Sequence, residues 1–420
     1  LAGKTLFIAL CLLATLFSVP AASSAGLVTW ASLAASSTAF TAMALNQYLA
    51  TRPTYLESLF GGLDRMYRFH RTLGIAALIL VLFHYFVEPD FQGRQLTSDL
   101  NKLAKEAGEW GFYGLVALIL VSWIKRIPFT GIEIPYHLWR QSHRLMGVFF
   151  IFIAFHQLFI KRPDHFTANS LLAQYLLVMA GIGIASFAYT QFIAFTRRRT
   201  YRVSRIDRLP AATVIEAQPV GRPIRSLPGQ FAFIHSDRSG LREPHPFTIA
   251  GRGEDGTLRF AIKPLGDFTK RLRETLAVGD RLLVEGGYGR FNHSRGGTSQ
   301  VWLAGGIGIT PFLAMAQGLK PDEKRKIHLV HCVRDGDEAV EAEMLRQKAG
   351  EIPNFSFRLH DSKADGRIDA EKLAAGAPFD LAGCDLWFCG PPPLREAILA
   401  GLAKGGKKPG RVEFERFEFR

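Results

Sequence analysis

Hydrophobic and polar positions divide this chain into two halves with different patterning. Residues 1–197 hold nearly all the long apolar runs, whereas 198–420 read as a water-soluble protein. Six segments, near 4–22, 26–50, 68–88, 110–127, 140–160 and 171–196, are long or apolar enough to cross roughly 30 Å of hydrocarbon. In the fourth, the purely apolar stretch from Gly111 to Ile124 is short. The second is rich in Ala, Ser and Thr, which suits close helix packing more than lipid exposure. Residues 200–296 alternate apolar and polar positions with frequent Gly and Pro, the pattern of short strands in a barrel. Residues 297–420 alternate strand and helix patterns, which predicts an α/β parallel sheet. The expected architecture is a six-helix transmembrane bundle over 1–197, a β-barrel domain over 198–296 and an α/β domain over 297–420.

Charge refines this division. The net charge of +14 over 420 residues is strongly basic, yet no basic run is interleaved with aromatics as a nucleic-acid groove requires. Many cations instead sit at the ends of apolar segments, among them Arg65, Arg68, Arg71, Lys125, Arg126, Arg140, Arg144 and Arg197 to Arg199. Such cations meet the lipid bilayer's anionic headgroups and set orientation. The connections between segments two and three and between four and five are basic, while the loop between three and four mixes both signs. Both termini and the soluble half are therefore expected in the cytosol, with the bundle in the plasma (inner) membrane. Lys4, the apolar run after it and the small residues Ala21 to Ala25 fit either a retained helix or a secretory leader. The four cysteines, Cys11, Cys332, Cys384 and Cys389, match neither a zinc site nor a disulfide framework.

Ionisable groups inside spanning helices are costly and by default functional. Segment three carries His70 and His84, and segment five carries His143 and His156, with separations of fourteen and thirteen residues. At 1.5 Å per residue these are about 21 Å and about 20 Å along the helix axis. A lone membrane histidine is usually a hydrogen-bonded structural residue. Two helices with two histidines each at matching depth make two His–His pairs, one near each leaflet, which is what two six-coordinate haems require. Zinc would need three or four ligands at one depth. Parallel helices pair His70 with His143 on the cytosolic side and His84 with His156 on the outer side. Fourteen residues return a helix to within about 40° of its starting face, but thirteen leave it about 140° away. Segment five is therefore expected either to carry a local distortion, with Gly147 the candidate position, or to hold its two haems at different azimuths.

The soluble half carries weaker signals that gain force together. Pro244, His245, Pro246, Phe247 and Thr248 offer an aromatic to cover a flavin ring and a hydroxyl for its reactive edge. Lys263, Gly266 and Thr269 supply groups for a pyrophosphate, with Thr269 expected to cap a helix beginning at Lys270. After the buried strand 301–304, Gly305, Gly306, Gly308 and Thr310 form a glycine-rich turn into a helix, where backbone can approach a second pyrophosphate. A following strand ends in Arg334, placed for a ribose 2′-phosphate, and another ends in Cys389 and Gly390. The plainer reading of Cys389 is a small buried residue.

In this order, the histidine pairs, HPFT, GGIGITP and CGP resemble the ferric reductase and NADPH oxidase superfamily, and the compact chain looks most like its bacterial NADPH oxidase members. The resemblance covers essentially the whole chain. It implies FAD, two b-type haems and NADPH, with NADH possible. His70/His143 and His84/His156 would be the haem ligands. His245, Pro246, Phe247 and Thr248 would hold the flavin, with Thr248 near N5 and Lys263, Gly266 and Thr269 near the pyrophosphate. Gly305 to Thr310 would take the dinucleotide, Arg334 its 2′-phosphate, and Cys389 with Gly390 would lie by the nicotinamide. The family's terminal aromatic, over the flavin, would be Phe417, with Phe419 the alternative. Thr248, Cys389 and Phe417 are thus the groups expected at the reaction centre. Animal superoxide-producing members carry a further histidine where this chain has Glu88. Three functions follow as expectations: an oxidase reducing oxygen to superoxide, a metalloreductase acting on ferric or cupric chelates, and an electron-relay subunit. The complete donor half argues against the third, and no obligatory protein partner is evident.

Overall fold

A computed structural model describes residues 2–90, 95–96, 99–123, 136–163 and 170–415. The chain forms two compact units, Leu1–Phe195 and Thr196–Arg420.

The first unit is helical: α1 (Ala2–Ala25), α2 (Leu27–Ala50), α3 (Thr54–Phe60), α4 (Leu63–Phe86), α5 (Asn101–Trp123), α6 (Tyr136–Arg144), α7 (Met146–Phe159) and α8 (Leu171–Ala188). Two short strands, β1 (Gln95–Leu96) and β2 (Arg162–Pro163), pair antiparallel. The small-residue helix α2 is the central one, lying against α1, α4, α7 and α8 with Ala34, Ala35, Ala39, Ala42 and Ala44 buried. Lipid gives helices no hydrophobic reason to associate, so close van der Waals packing and interhelical hydrogen bonds must hold them. Both occur here. The Thr15 and Thr38 hydroxyls share a hydrogen bond of 2.8 Å, and Tyr175 donates to the Leu10 carbonyl at 2.6 Å.

Five described helical stretches are long and apolar enough to cross a membrane: Ala2–Pro20, Leu27–Ala50, Leu63–Phe86, Leu138–Phe159 and Leu171–Arg197. The expected fourth crossing is a 23-residue helix, α5, but Lys102, Lys105, Glu106 and Glu109 occupy its first half, so its composition falls short of the other five. The expected distortion in segment five is present, displaced by two residues. Helix α6 stops at Arg144, Leu145 forms a turn, and α7 begins at Met146. Val148 N–H donates to Leu145 O at 2.9 Å, an i→i+3 step. Such steps turn about 120° rather than 100° per residue, the direction that brings thirteen residues nearer to one face. Gly147 serves helix packing instead, since a Cβ there would collide with the Phe187 ring of α8.

The second unit begins with a closed antiparallel barrel of β3 (Arg199–Arg208), β4 (Thr213–Pro219), β5 (Phe231–Ser236), β6 (His245–Arg252), β7 (Leu258–Ile262) and β8 (Arg281–Tyr288), in the order β3-β4-β7-β6-β5-β8. Alternation along β3 buries Tyr201 and Val203 and exposes Arg202 and Ser204. The inward positions form a core with Ile215, Ile234, Phe260 and Val284. Helix α9 (Asp267–Thr275) follows β7.

A five-stranded parallel sheet completes the unit: β9 (Ser299–Gly305), β10 (Lys326–Val333), β11 (Phe355–Asp361), β12 (Asp385–Cys389) and β13 (Arg411–Phe414), ordered β11-β10-β9-β12-β13. Helices α10 (Thr310–Gln317), α11 (Ala342–Glu351), α12 (Ser362–Asp365), α13 (Ala370–Gly376) and α14 (Pro392–Lys404) connect the strands. Apolar clusters around Trp302 and Phe312 on one face, and around Leu303 and Phe388 on the other, bury both sides, as a parallel sheet requires.

Candidate functional site

The four membrane histidines lie on α4, α6 and α7, and these helices have neighbours behind them. Helix α2 backs α4 and α5 backs α6 and α7. His70 and His143 face one another with ring centroids 6.2 Å apart and planes at 64°. Two metal–imidazole bonds of about 2 Å each, plus two ring half-widths of about 1 Å, give about 6 Å, so both rings can reach one iron. His84 and His156 are close enough to interact electrostatically.

The neighbouring helices address the other ring nitrogen. His84 Nδ1 lies 3.0 Å from Ser32 Oγ of α2 and His143 Nδ1 lies 3.1 Å from Ser122 Oγ of α5. His156 Nδ1 donates to the Ala104 carbonyl of α5 at 3.0 Å. His70 interacts with the Asn46 backbone of α2, although its buried Nδ1 makes no hydrogen bond of normal geometry among the described residues. Occupying Nδ1 in this way leaves Nε2 for a metal, the usual arrangement of a ligating imidazole. The His70–His143 pair fits a bis-imidazole haem, and His84 and His156 offer a second pair of imidazoles.

Close approach of α5 to α7 depends on three glycines at intervals of three. A Cβ at Gly108 would overlap the His156 ring, one at Gly111 would stand 2.6 Å from Ile153 Cγ1, and one at Gly114 would overlap Phe149. The sequence reading missed Ser32, Ser122, Ala104 and Gly108. The glycine spacing was the available signal, whereas a serine in an apolar helix carries none by itself.

In the barrel, the flavin candidates gather at the start of β6 and around α9. The His245 ring stacks on Phe268 with centroids 3.8 Å apart and planes at 19°, and Phe247 lies beyond it at 6.1 Å. Pro246 pairs with Phe233 of β5 in the ladder. Thr248 is buried, and its Oγ1 has no hydrogen-bond partner among the described residues. A buried hydroxyl without a partner is costly, and a flavin edge would satisfy it. Lys263 follows β7, and Gly266 is the N-cap of α9 with open space where a Cβ would stand. Helix α9 begins at Asp267 rather than Lys270, so Thr269 is not its N-cap. Its hydroxyl instead accepts the N–H groups of Leu265 at 2.9 Å and Gly266 at 3.0 Å, holding the loop closed. Phe268 was not anticipated.

At the carboxyl edge of the parallel sheet, the glycine turn after β9 packs backbone to backbone on the loop after β12. A Cβ at Gly308 would overlap the Cys389 carbonyl, and one at Gly390 would stand 2.9 Å from the Gly305 nitrogen. Gly306 has φ +54, the left-handed region that favours glycine. Thr310 donates to Ile307 O at 3.1 Å, tightening the turn. His331 of β10, another residue missed in the sequence, is fully buried and donates from Nε2 to the Gly306 carbonyl at 2.9 Å. Burial lowers its pKa to about 4, so it stays neutral and keeps that donor role. Arg334 is exposed one residue beyond β10. Cys389 is fully buried in the core, and burial, with a smaller contribution from Glu415, raises its thiol well above the ordinary range. Its side chain packs in the core, and its backbone borders the turn. Phe417 and Phe419 lie outside the described residues.

Comparison with known proteins agrees with this division. Residues 35–154 match the ferric reductase like transmembrane component family, 214–296 an FAD-binding domain and 302–399 the oxidoreductase NAD-binding domain. The toluate 1,2-dioxygenase electron transfer component of Pseudomonas putida is 28% identical over 198 residues, which is 46% of this chain and 58% of that protein. NADH–cytochrome b5 reductase 1 of Arabidopsis thaliana is 29% identical over 216 residues, 48% of this chain and 74% of that one. Several such curated relatives are thus matched over less than two thirds of their length. The crystal structure of flavohemoglobin from Malassezia yamatoensis covers 93% of this chain and 98% of its own with a TM-score of 0.50 at 16% identity, a likeness of fold alone. With an apolar helical unit, an FAD-binding barrel and an NAD-binding parallel sheet in that order, this integral membrane oxidoreductase has the domain architecture of the ferric reductase and NADPH oxidase superfamily.

Proposed function

We propose that the protein takes electrons from cytosolic NADPH and delivers them to an acceptor on the outer side of the membrane, most readily oxygen, giving superoxide. The observation that carries this reading is the His70–His143 pair, 6.2 Å apart between membrane helices, in a chain that also holds flavin and dinucleotide domains. When bound, the flavin converts a two-electron hydride donor into single electrons, and the two haems pass single electrons between leaflets.

The chain's own residues supply position and environment. His70 and His143 would hold the inner haem, and His84 and His156 the outer. Thr248 Oγ1 would hydrogen-bond the flavin's reactive edge, beside the His245–Phe268 stack. Lys263 and the α9 N-terminus would offset pyrophosphate charge. The backbone of Gly305, Gly306 and Gly308 would receive the dinucleotide, with Arg334 on a 2′-phosphate and Phe417 over the flavin. The basic connections between segments favour an orientation with the soluble unit in the cytosol. Metal chelates are the second acceptor class, favoured by Glu88 and Asp90 just beyond α4 and His84.

The test is NADPH-driven superoxide formation by purified protein loaded with FAD and haem. A signal abolished by superoxide dismutase is expected. Haem reduction without superoxide would move the acceptor to metal chelates, and the lack of any haem spectrum would refute the reading.

A further inference from the structure

The two serines behind the ligand helices do more than touch them. Ser32 Oγ makes a short hydrogen bond to the Val87 carbonyl, and Ser122 Oγ donates to the Leu118 carbonyl at 2.7 Å. A carbonyl can only accept, and a hydroxyl has a single proton. Both serines have therefore spent their proton, so each can meet its histidine only as an acceptor. That assigns the imidazole proton to Nδ1 of His84 and of His143, and it leaves Nε2 with its lone pair. At His156 the partner is itself a carbonyl, and the same assignment follows.

We propose that Ser32 and Ser122 are positioning residues, one at each level of the bundle, which fix the ligating tautomer of His84 and His143 and raise the electron-donating strength of that ligand. The inference rests on the haem reading above and goes beyond it by assigning the tuning groups. Two physical effects act together. Without an acceptor, the Nδ1 proton would be buried and unpaired, or the ring would shift to the tautomer whose Nε2 carries the proton and cannot bind iron. With one, the imidazole gains negative character and favours ferric over ferrous iron. Donation to the backbone further polarises the serine oxygen and makes it a better acceptor. The two serines come from different helices, α2 and α5, so the two levels are tuned separately.

The experiment is spectroelectrochemical titration of the full-length, haem-loaded protein carrying Ser32→Ala or Ser122→Ala, with FAD content and gel-filtration profile checked first. Each substitution removes one oxygen atom and keeps a good helix former. Each is expected to raise the potential of one haem, and a different one in each variant. A tenfold change in ferric-over-ferrous preference corresponds to about 59 mV for one electron. Ser32→Thr, which keeps the hydroxyl, is expected to restore the wild-type value. Independently of any variant, electron–nuclear double resonance of the ferric wild-type protein should show exchangeable Nδ1 protons on the ligand rings. Unmoved potentials in both alanine variants with both haems bound, or absence of those protons, would overturn the inference and leave the haem reading standing. A wild-type protein that binds no haem would overturn both.

Discussion

One methyl group at Gly108 tests whether helix spacing holds the outer histidine. In Gly108→Ala the new Cβ would stand 2.8 Å from Cγ and 2.9 Å from Cε1 of His156, and closer still to Nδ1. Alanine gains about 1 kcal/mol over glycine within a helix. Against this, overpacking costs about 1–3 kcal/mol. Turning the ring away also leaves its Nδ1 donor unpaired, which costs about 1–3 kcal/mol more. The balance is a loss centred on about 3 kcal/mol, about a hundredfold in affinity for whatever His156 binds. The assay is the haem-to-FAD ratio of the purified variant, with redox titration of the haem that remains. The ratio should fall from two toward one, with the inner haem's potential unchanged. Gly181→Ala is the control, because a Cβ there meets nothing within 4 Å. Two haems per FAD at wild-type potentials in Gly108→Ala would refute the reasoning.

Other outcomes follow from the same geometry. His84→Leu should leave flavin reduction by NADPH intact and abolish delivery across the bilayer, read by stopped-flow absorbance and outer-acceptor reduction in proteoliposomes. Thr248→Val removes a buried unpaired hydroxyl, so the FAD-free protein should be no less stable; FAD affinity should drop by about 1 kcal/mol, roughly fivefold, by fluorescence titration. Gly308→Ala, whose Cβ would overlap the Cys389 carbonyl, should block reduction by NADPH while bound FAD is retained and remains reducible by dithionite. His293, His328 and His331 are each buried, with pKa lowered from 6.5 to about 4. The unfolded chain therefore binds more protons in that window, and stability is full above pH 6.5 and lost as pH falls toward 4, by up to about 1.4 kcal/mol per unit for each histidine. A flat melting temperature over that range, followed by FAD fluorescence, would contradict it.

The features legible in the sequence were those with a period or a fixed order. Apolar run length pointed to the membrane helices, and matched histidine spacing to the paired histidines. The mismatch of fourteen and thirteen residues pointed to a break in segment five or to different azimuths for its two histidines, and the break is present. Its location at Leu145 was hidden, because glycine is only one source of a break and Gly147 was needed to admit Phe187. The acceptors behind the histidines were hidden for another reason. Ser32 lies 52 residues from His84, and Ser122 lies 21 from His143, and no local rule joins them. In the soluble unit, the HPFT and glycine-turn positions were visible as motifs. The register that buries Thr248 and the hydrogen bond from His331 exist only once neighbouring strands are paired. At Cys389 the place at a strand end suggested chemistry, and the structure buries the side chain in the core.

The turn at Leu145 gives the fifth segment a division of labour. His143 rides on the nine-residue α6, and His156 on the fourteen-residue α7, so the two histidines belong to separate helices joined at one residue. A continuous helix would transmit any rotation needed to seat one group directly to the other. A jointed one lets the inner site adjust while α7 stays locked to the glycine face of α5. On the proposed haem reading the two levels would then fill one at a time, and a lesion at one level would not empty the other.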